Sequence, residues 1–412
     1  MKVARLHEAL EIIKDVAPLG RRDWVTLEEA CGRVASKEQE VVLPLPSFDN
    51  SAMDGYAIRA KDAGLRVRVA GRILAGDQAF DLQERVALRI MTGAPIPEGC
   101  DTIVPQEEVV AEEGWVGLPA TVRQGSHIRR IGEDLRVGER ILEPGESITP
   151  VHIGMAASQG ITHLQVYGRP RVVVLATGAE VRFHFEQRDH EQLFNSNTPT
   201  LVAWLKSWGC EVSVVRVEVD DQKILREAVE GLGWADLIVT TGGASVGEAD
   251  LTREVLREVS AHFLFDKISL KPGKPTALAR LGGSYVLMLP GNPMAAMVNF
   301  LLLGRSLVRR LSGRRAWAYL EVEARLGSAL TFKGGVDTVI AGFFDGYRFM
   351  PKKRQASFMV SGLAGCNALI VVDRGVAALE EGTRVKVLVI DWESGADEIG
   401  SLVSKGESCS QD

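Results

Sequence analysis

From Arg169 to residue 314 the hydrophobic pattern switches period again and again, and this alternation constrains the fold more than any other feature of the chain. "RVVVLATG" is a short apolar run closed by Thr-Gly. "NTPTLVAWLKSWGC" places Leu201, Leu205 and Trp208 on one helical face and ends at Gly209. "EVSVVRVEVDD", "QKILREAVEGLG", "ADLIVTTGGASVGEAD", "LTREVLREVS", "SYVLMLPGNP" and "MAAMVNFLLLGRSLVRRLSG" continue as strand, helix, strand, helix, strand and helix. Such a series packs as a doubly wound parallel sheet with helices on both faces. Ligands of such sheets bind beyond the carboxyl ends of the strands. Three of these ends are rich in Gly, Thr, Ser and Pro: Thr177-Gly178, Thr241 to Gly247 (with Gly242, Gly243 and Ser245), and Pro290-Gly291-Asn292-Pro293. In the last, Asn292 reads as a helix N-cap with Pro293 behind it, so that free amides face the loop and suit an anion. Glu248 and Asp250 follow the second loop and would repel a bare phosphate. They could share a divalent cation with phosphate oxygens, or simply be the acids a helix start favours.

Two kinds of segment flank this domain. Leu6, Leu10 and Ile13 mark a first helix, and Thr26 with Glu29 forms a capping box that predicts a second one over "LEEACGRVASKE". Thr149-Pro150 predicts a helix to about Gln159, stopped by Gly160. Between them, "LRVRVAGRIL", "RVALRIMTG", "DTIVPQEEVV" and "ERILEPGESI" read as the strands of a small β domain. From "AYLEVEARL" to "TRVKVLVID" there are strands and turns only, a second small β domain, and the last residues read as a loose tail.

Net charge is −6, with no global basic footprint for nucleic acid, so an anionic substrate requires local clusters of cations. "DKISLKPGKPTALA" supplies one: Lys267, Lys271 and Lys274 stand around a proline-stiffened turn that suits a compact oxyanion, or forms a solvated basic turn. Lys352 to Gln355, in "MPKKRQ", is a basic run that is surface or leans on an anion in a neighbouring cleft. His184 and His190 resemble a metal cluster, but the acid-rich, aperiodic stretch around them reads as a solvated loop. No Ser/His/Asp set or H-E-x-x-H pattern supports hydrolysis or zinc chemistry. The five cysteines form no C-x-x-C pair and read as reduced thiols of a cytoplasmic protein. The charged N-terminus is no signal peptide, and the longest apolar run is too short to span a bilayer. In "PSFDNSAMDGY", Asp49 and Asp54 are turn formers, or hold a cation or a water. Without further information the residues point to a multidomain α/β protein that binds an anionic small molecule with a divalent metal.

"PSFDNSAMDGYA", "IMTGAPIPEGCDTIVPQEE", "IRRIGEDLRVGERIL", "TTGGASVGEAD", "LKPGKP" and "LPGNP", in that order, resemble the molybdopterin molybdenumtransferase family, MoeA in bacteria and the E domain of gephyrin in animals. The resemblance covers residues 1 to about 395. It implies four parts: an elongated domain (1–40 and 141–168), an inserted β domain (41–140), a parallel α/β molybdopterin-binding domain (169–314) and a C-terminal β-barrel-like domain (315–394), with 395–412 a flexible tail. It implies insertion of molybdate into adenylylated molybdopterin with Mg2+-dependent release of AMP. The expected assembly is a homodimer, with the adenylyltransferase of the same pathway and recipient molybdoenzymes as partners and neither nucleic acid nor membrane.

By matched position, Asp54, Thr92, Glu180 and Asp250 carry catalytic roles. Glu180, Asp250 and Asp221 are expected at the metal. Substrate contacts fall on Thr177, Gly178, Asp220, Asp221, Gly242, Gly243, Ser245, Gly247, Lys267, Lys271, Lys274, Pro275, Pro290, Gly291, Asn292, Pro293 and Ser357. Asp54 is expected to face the cleft from the second subunit, and Asp49 to shape the loop that delivers it. The family's "TGDEL" is "TGAEV" here, with Ala179 at an Asp position. Gly335 and Ile340 stand at two arginine positions of the last domain, for which Arg348 or Arg354 could substitute. Two alternative functions are a non-catalytic molybdopterin-binding or scaffold paralogue and a tungstate-preferring insertase.

Overall fold

The computed structural model describes residues 2–78, 81–178, 181–217, 221–241 and 248–390, with backbone only at 248–250. At its centre is a six-stranded sheet in the order Glu211–Val217, Arg171–Thr177, Leu237–Thr241, Ser284–Leu289, Ala277–Leu281, His262–Phe265. The first four strands are parallel; Ala277–Leu281 runs antiparallel to both its neighbours, so His262–Phe265 shares the direction of the first four. Successive residues feed opposite cores: Val172 and Val174 pack on one face, Val173 and Leu175 on the other. Both faces are therefore covered, which is why these strands read as unbroken apolar runs. The chain runs from Arg171–Thr177 to a neighbour on one side and then to Leu237–Thr241 on the other. The switch point falls at the carboxyl ends that carry Thr177-Gly178 and Thr241.

The helix expected after "LPGNP" spans Pro293–Asn299, passes through a π-helical stretch at Phe300–Gly304 and continues as Arg305–Leu311. Helix Leu6–Lys14 buries Leu6, Ala9 and Ile13 in the same core, and Val3–Ala4 pairs parallel with Lys267–Ile268. Helix Pro150–Ser158 is capped as read, with Thr149 Oγ1 accepting from the His152 amide. The second N-terminal helix is only Leu27–Ala30, and Thr26 makes no side-chain cap bond. Thr26 instead ends the strand Arg22–Thr26, which pairs antiparallel with His163–Tyr167, and that pairing overrides the capping signal.

The first β domain is a six-stranded sheet in the order Thr102–Pro105, Gly55–Ile58, Val86–Ile90, Arg66–Ile73, Trp115–Gly117, Val110–Glu112. In the last, Asp337–Phe344, Arg348–Pro351, Glu321–Leu326, Arg384–Val389 and Ala368–Val372 pair in turn. Ala368–Val372 pairs back onto Asp337–Phe344 and closes a five-stranded barrel. Leu326, Phe344, Phe349, Ile370 and Val387 fill it. Leu270–Lys271 adds to this barrel from outside, parallel to Asp337–Thr338. Behind that seam the nearly buried Asp337 accepts from Arg5 and Arg374. Among the described residues no helix is long and apolar enough to cross a membrane.

Candidate active site

The turn between Lys271 and Pro275 lies on the helix that starts at Pro293. Asn299, fully buried, donates Nδ2 to the carbonyls of Pro272 (2.9 Å) and Ala295 (2.8 Å). Gly273 sits at φ +117, and a Cβ there would lie 1.7 Å from Asn299 Nδ2, so only glycine allows this approach. Arg253 donates to the Pro275 carbonyl, and the Thr276 amide to Gly273 O at 2.9 Å. The turn is thus tied to the α/β domain from below and to the barrel along Leu270–Lys271.

Over it opens a cavity of about 1050 Å³ between the α/β domain and the barrel. Of the residues expected to contact substrate, Lys271, Lys274, Pro275, Pro290, Asn292 and Ser357 line it; Gly291 and Pro293 do not. Lys267 does not reach it either, because it is held in the strand beside Val3–Ala4. Two further lysines do, Lys333 and Lys353, and among the described residues no Asp or Glu lines the cavity. Gly335 and Ile340 lie in the wall, whereas Arg348 and Arg354 do not, so the charge at this side comes from lysines. Within the basic run, Lys352 turns away and donates Nζ to Ala364 O, leaving Lys353 to face the cavity. Gln355 fixes that loop: its Oε1 accepts from the Ala341 amide (2.8 Å) and its Nε2 donates to Lys352 O (2.7 Å). The run was a visible signal for Lys353; Lys333, a lone lysine before Gly334-Gly335, gave none. Four ammonium groups with no carboxylate among the described lining residues are suited to hold an anion. The Ala295 amide is less free than the N-cap reading implies, since it donates to Ser357 O at 3.3 Å.

Asp54 and Thr92 form a separate unit in the first β domain. Asp54 Oδ1 accepts from both the amide and the hydroxyl of Thr92, each at 2.8 Å. The Thr92 amide and then its hydroxyl hold this exposed carboxyl below the ordinary Asp range, so it stays ionised. Gly55 follows because a Cβ would fall 2.1 Å from Val104 O of the neighbouring strand. Asp49 shapes the loop, accepting from Arg130 (2.6 Å) and the Ile131 amide (2.8 Å). Burial would raise its carboxyl, but the Ile131 amide and Arg130 outweigh it and the net shift is downward. Neither Asp54 nor Thr92 lines the lysine cavity of its own chain.

Thr177 ends its strand and Gly178, at φ +121, turns the chain. Asp221 caps helix Gln222–Glu230, its Oδ1 accepting from the amides of Lys223 (2.8 Å) and Ile224 (3.1 Å). Ala179, Glu180, Asp220, Gly242, Gly243, Ser245 and Gly247 lie outside the described residues, as does the side chain of Asp250. His184 and His190 are exposed, and among the described residues no three His, Cys, Asp or Glu side chains gather as metal ligands.

Three family models match the chain in order. They are the MoeA N-terminal region (domain I and II) over residues 4–160, the probable molybdopterin binding domain over 173–310 and the MoeA C-terminal region (domain IV) over 323–390. A molybdopterin molybdenumtransferase of Haemophilus influenzae is 38% identical over 300 residues, 72% of this chain and 74% of the relative. The chain belongs to the molybdopterin molybdenumtransferase family. Molybdopterin molybdenumtransferase 2 of Mycobacterium tuberculosis is 31% identical over 402 residues, 93% of this chain and 98% of that one. The crystal structure of a MoeA molybdopterin biosynthesis protein from Pyrococcus horikoshii superposes with a TM-score of 0.81 at 26% identity, covering 95% of this chain and 100% of that one. This molybdenumtransferase is therefore an enzyme of molybdenum cofactor biosynthesis.

Proposed function

We propose that this transferase inserts molybdate into adenylylated molybdopterin, releasing AMP in a magnesium-dependent step. The observation that carries the reading is the lysine cavity. Lys271, Lys274, Lys333 and Lys353 line it with no carboxylate among the described residues, which suits a tetrahedral dianion. Stiff prolines and Asn299 hold the turn before substrate arrives, so little ordering is left to binding. The pterin phosphates are assigned to Thr177-Gly178 and to residues 242–247.

Magnesium is assigned to Glu180, Asp250 and Asp221. Of these only Asp221 has a described side chain, and its Oδ1 is already taken by two amides, which leaves Oδ2 for a cation. When bound, the ion supplies charge neutralisation on phosphate oxygens. The protein's own part is to hold the oxyanion on lysines and to present an ionised Asp54 that can orient a water or accept a proton.

Asp54 is supplied by a second copy of the chain in this reading. Phe48, Met53 and Ile131, around the Asp49–Asp54 loop, are exposed apolar side chains that a partner would cover. The test mixes Asp54→Ala and Asp250→Ala chains, each inactive alone. Cofactor formation from adenylylated molybdopterin, molybdate and magnesium should return in the mixture. An active monomer, or near-normal turnover by either variant alone, would remove the assignment.

A further inference from the structure

A second cavity, of about 350 Å³, opens where the strand pair Arg22–Thr26 and His163–Tyr167 meets the α/β domain, and it shares no residue with the lysine cavity. Arg33, Arg169, Lys206 and Arg314 line it, and again no carboxylate does among the described residues. Arg33 is paired with Asp23 at 2.8 Å. The other three have no carboxylate partner among the described residues. Arg169 gives Nη1 to Gly209 O (3.3 Å), and Arg314 gives Nη1 to Ser147 Oγ (2.8 Å) and Nη2 to Gly32 O (3.1 Å). These neutral acceptors orient the guanidinium groups without cancelling their charge. Burial, and then Arg305, push the Arg314 guanidinium below its ordinary value, as expected of a cation lacking a counter-charge.

Helices Asn197–Ser207 and Arg305–Leu311 both end at this cavity, and their carboxyl ends each present roughly half a negative charge. Together they offset about one of the three unpaired cations and leave about two. We propose that this cavity binds a phosphate-type oxyanion, free or carried on a small molecule, on Arg169, Lys206 and Arg314. Its volume falls in the range of small-molecule pockets, with room for more than a bare ion. The inference does not depend on the activity proposed above.

Cys31, an exposed thiol in the lining, is a built-in reporter. Its alkylation by iodoacetamide, followed peptide by peptide, should slow about tenfold in phosphate at ten times the dissociation constant, because only about a tenth of the sites stay empty. Cys100, which does not line the cavity, should be labelled at an unchanged rate. Adenosine monophosphate is the second arm and adenosine its uncharged control. Protection by the nucleotide alone assigns a phosphorylated small molecule, and protection by phosphate assigns the free anion. Arg169→Ala/Lys206→Ala removes two exposed side chains and should abolish protection in a folded protein. Arg314→Gln, checked by circular dichroism, should weaken it. Equal slowing by chloride at matched ionic strength, protection that survives the double variant, or no protection by either anion would overturn the proposal.

Discussion

Replacing Gly273 with Ala tests whether the lysine turn is held rigidly. The new Cβ would lie 1.7 Å from Asn299 Nδ2 and 2.5 Å from Asn299 Cγ, at a φ of +117. Asn299 is fully buried and cannot swing into solvent, so the turn must lift away. Lifting breaks the bond from Asn299 to Pro272 O, worth about 1 kcal/mol, and the backbone conformation costs about 1–3 kcal/mol for a residue with a side chain. The expected loss is about 2–4 kcal/mol. In an Asn299→Ala background the clash is gone and the backbone strain remains. The two substitutions should therefore be less than additive, with a coupling of about 1 kcal/mol. Urea unfolding of the four proteins gives the cycle. The molybdate concentration giving half-maximal insertion, measured in parallel, should rise in both single variants. Additivity within about 0.5 kcal/mol, or an unchanged molybdate dependence, would refute the account of a turn locked by contact with Asn299.

Two other outcomes follow from the same seam. Lys333→Ala and Lys353→Ala should each raise the half-saturating molybdate concentration about five- to tenfold, a charge-assisted bond of roughly 1–1.5 kcal/mol after solvent screening, whereas Lys352→Ala and Lys267→Ala should not; a strong effect at Lys267 would contradict the cavity's composition. Burial raises the Asp337 carboxyl, but Arg374 and Arg5 more than compensate and hold it below the ordinary Asp value. Its stabilisation is therefore present above the unfolded pKa and is lost as pH falls through the folded one. Asp337→Asn should cost about 2 kcal/mol at neutral pH, discounted because both arginines are about one-third exposed, and should flatten the loss of stability below about pH 4, read by acid titration of the urea midpoint.

The α/β domain was legible because its strands are buried on both faces and its helices on one. Apolar runs and helical stripes then differ in sequence, as at Val172–Leu175 against Leu201 and Leu205. Thr149 was legible because a cap is a local bond. Thr26 misled because its partner strand, His163–Tyr167, lies far along the chain and outweighs a local signal. The barrel was implied by the resemblance and not by the strand pattern itself, since its closure depends on Asp337–Phe344 finding both Arg348–Pro351 and Ala368–Val372. The Lys271–Pro275 turn could be read from its prolines and lysines. Lys333 could not, because it joins them only through folding. The resemblance to relatives placed Asp54 and Thr92 together, and the bond between residues 38 apart gives the physical reason.

The pairing of Leu270–Lys271 with Asp337–Thr338 makes the cavity indivisible along the chain. A fragment ending near residue 314 would keep the lysine turn but leave Leu270–Lys271 as a bare sheet edge, open to any extended chain that met it. A barrel exchanged between relatives would carry Lys333, Lys353 and Ser357 with it and leave Lys271 and Lys274 behind. Evolution, or an engineer, can therefore retune the lysine cavity from the barrel side alone, one loop at a time. The partition that looks natural in sequence runs straight through the pocket.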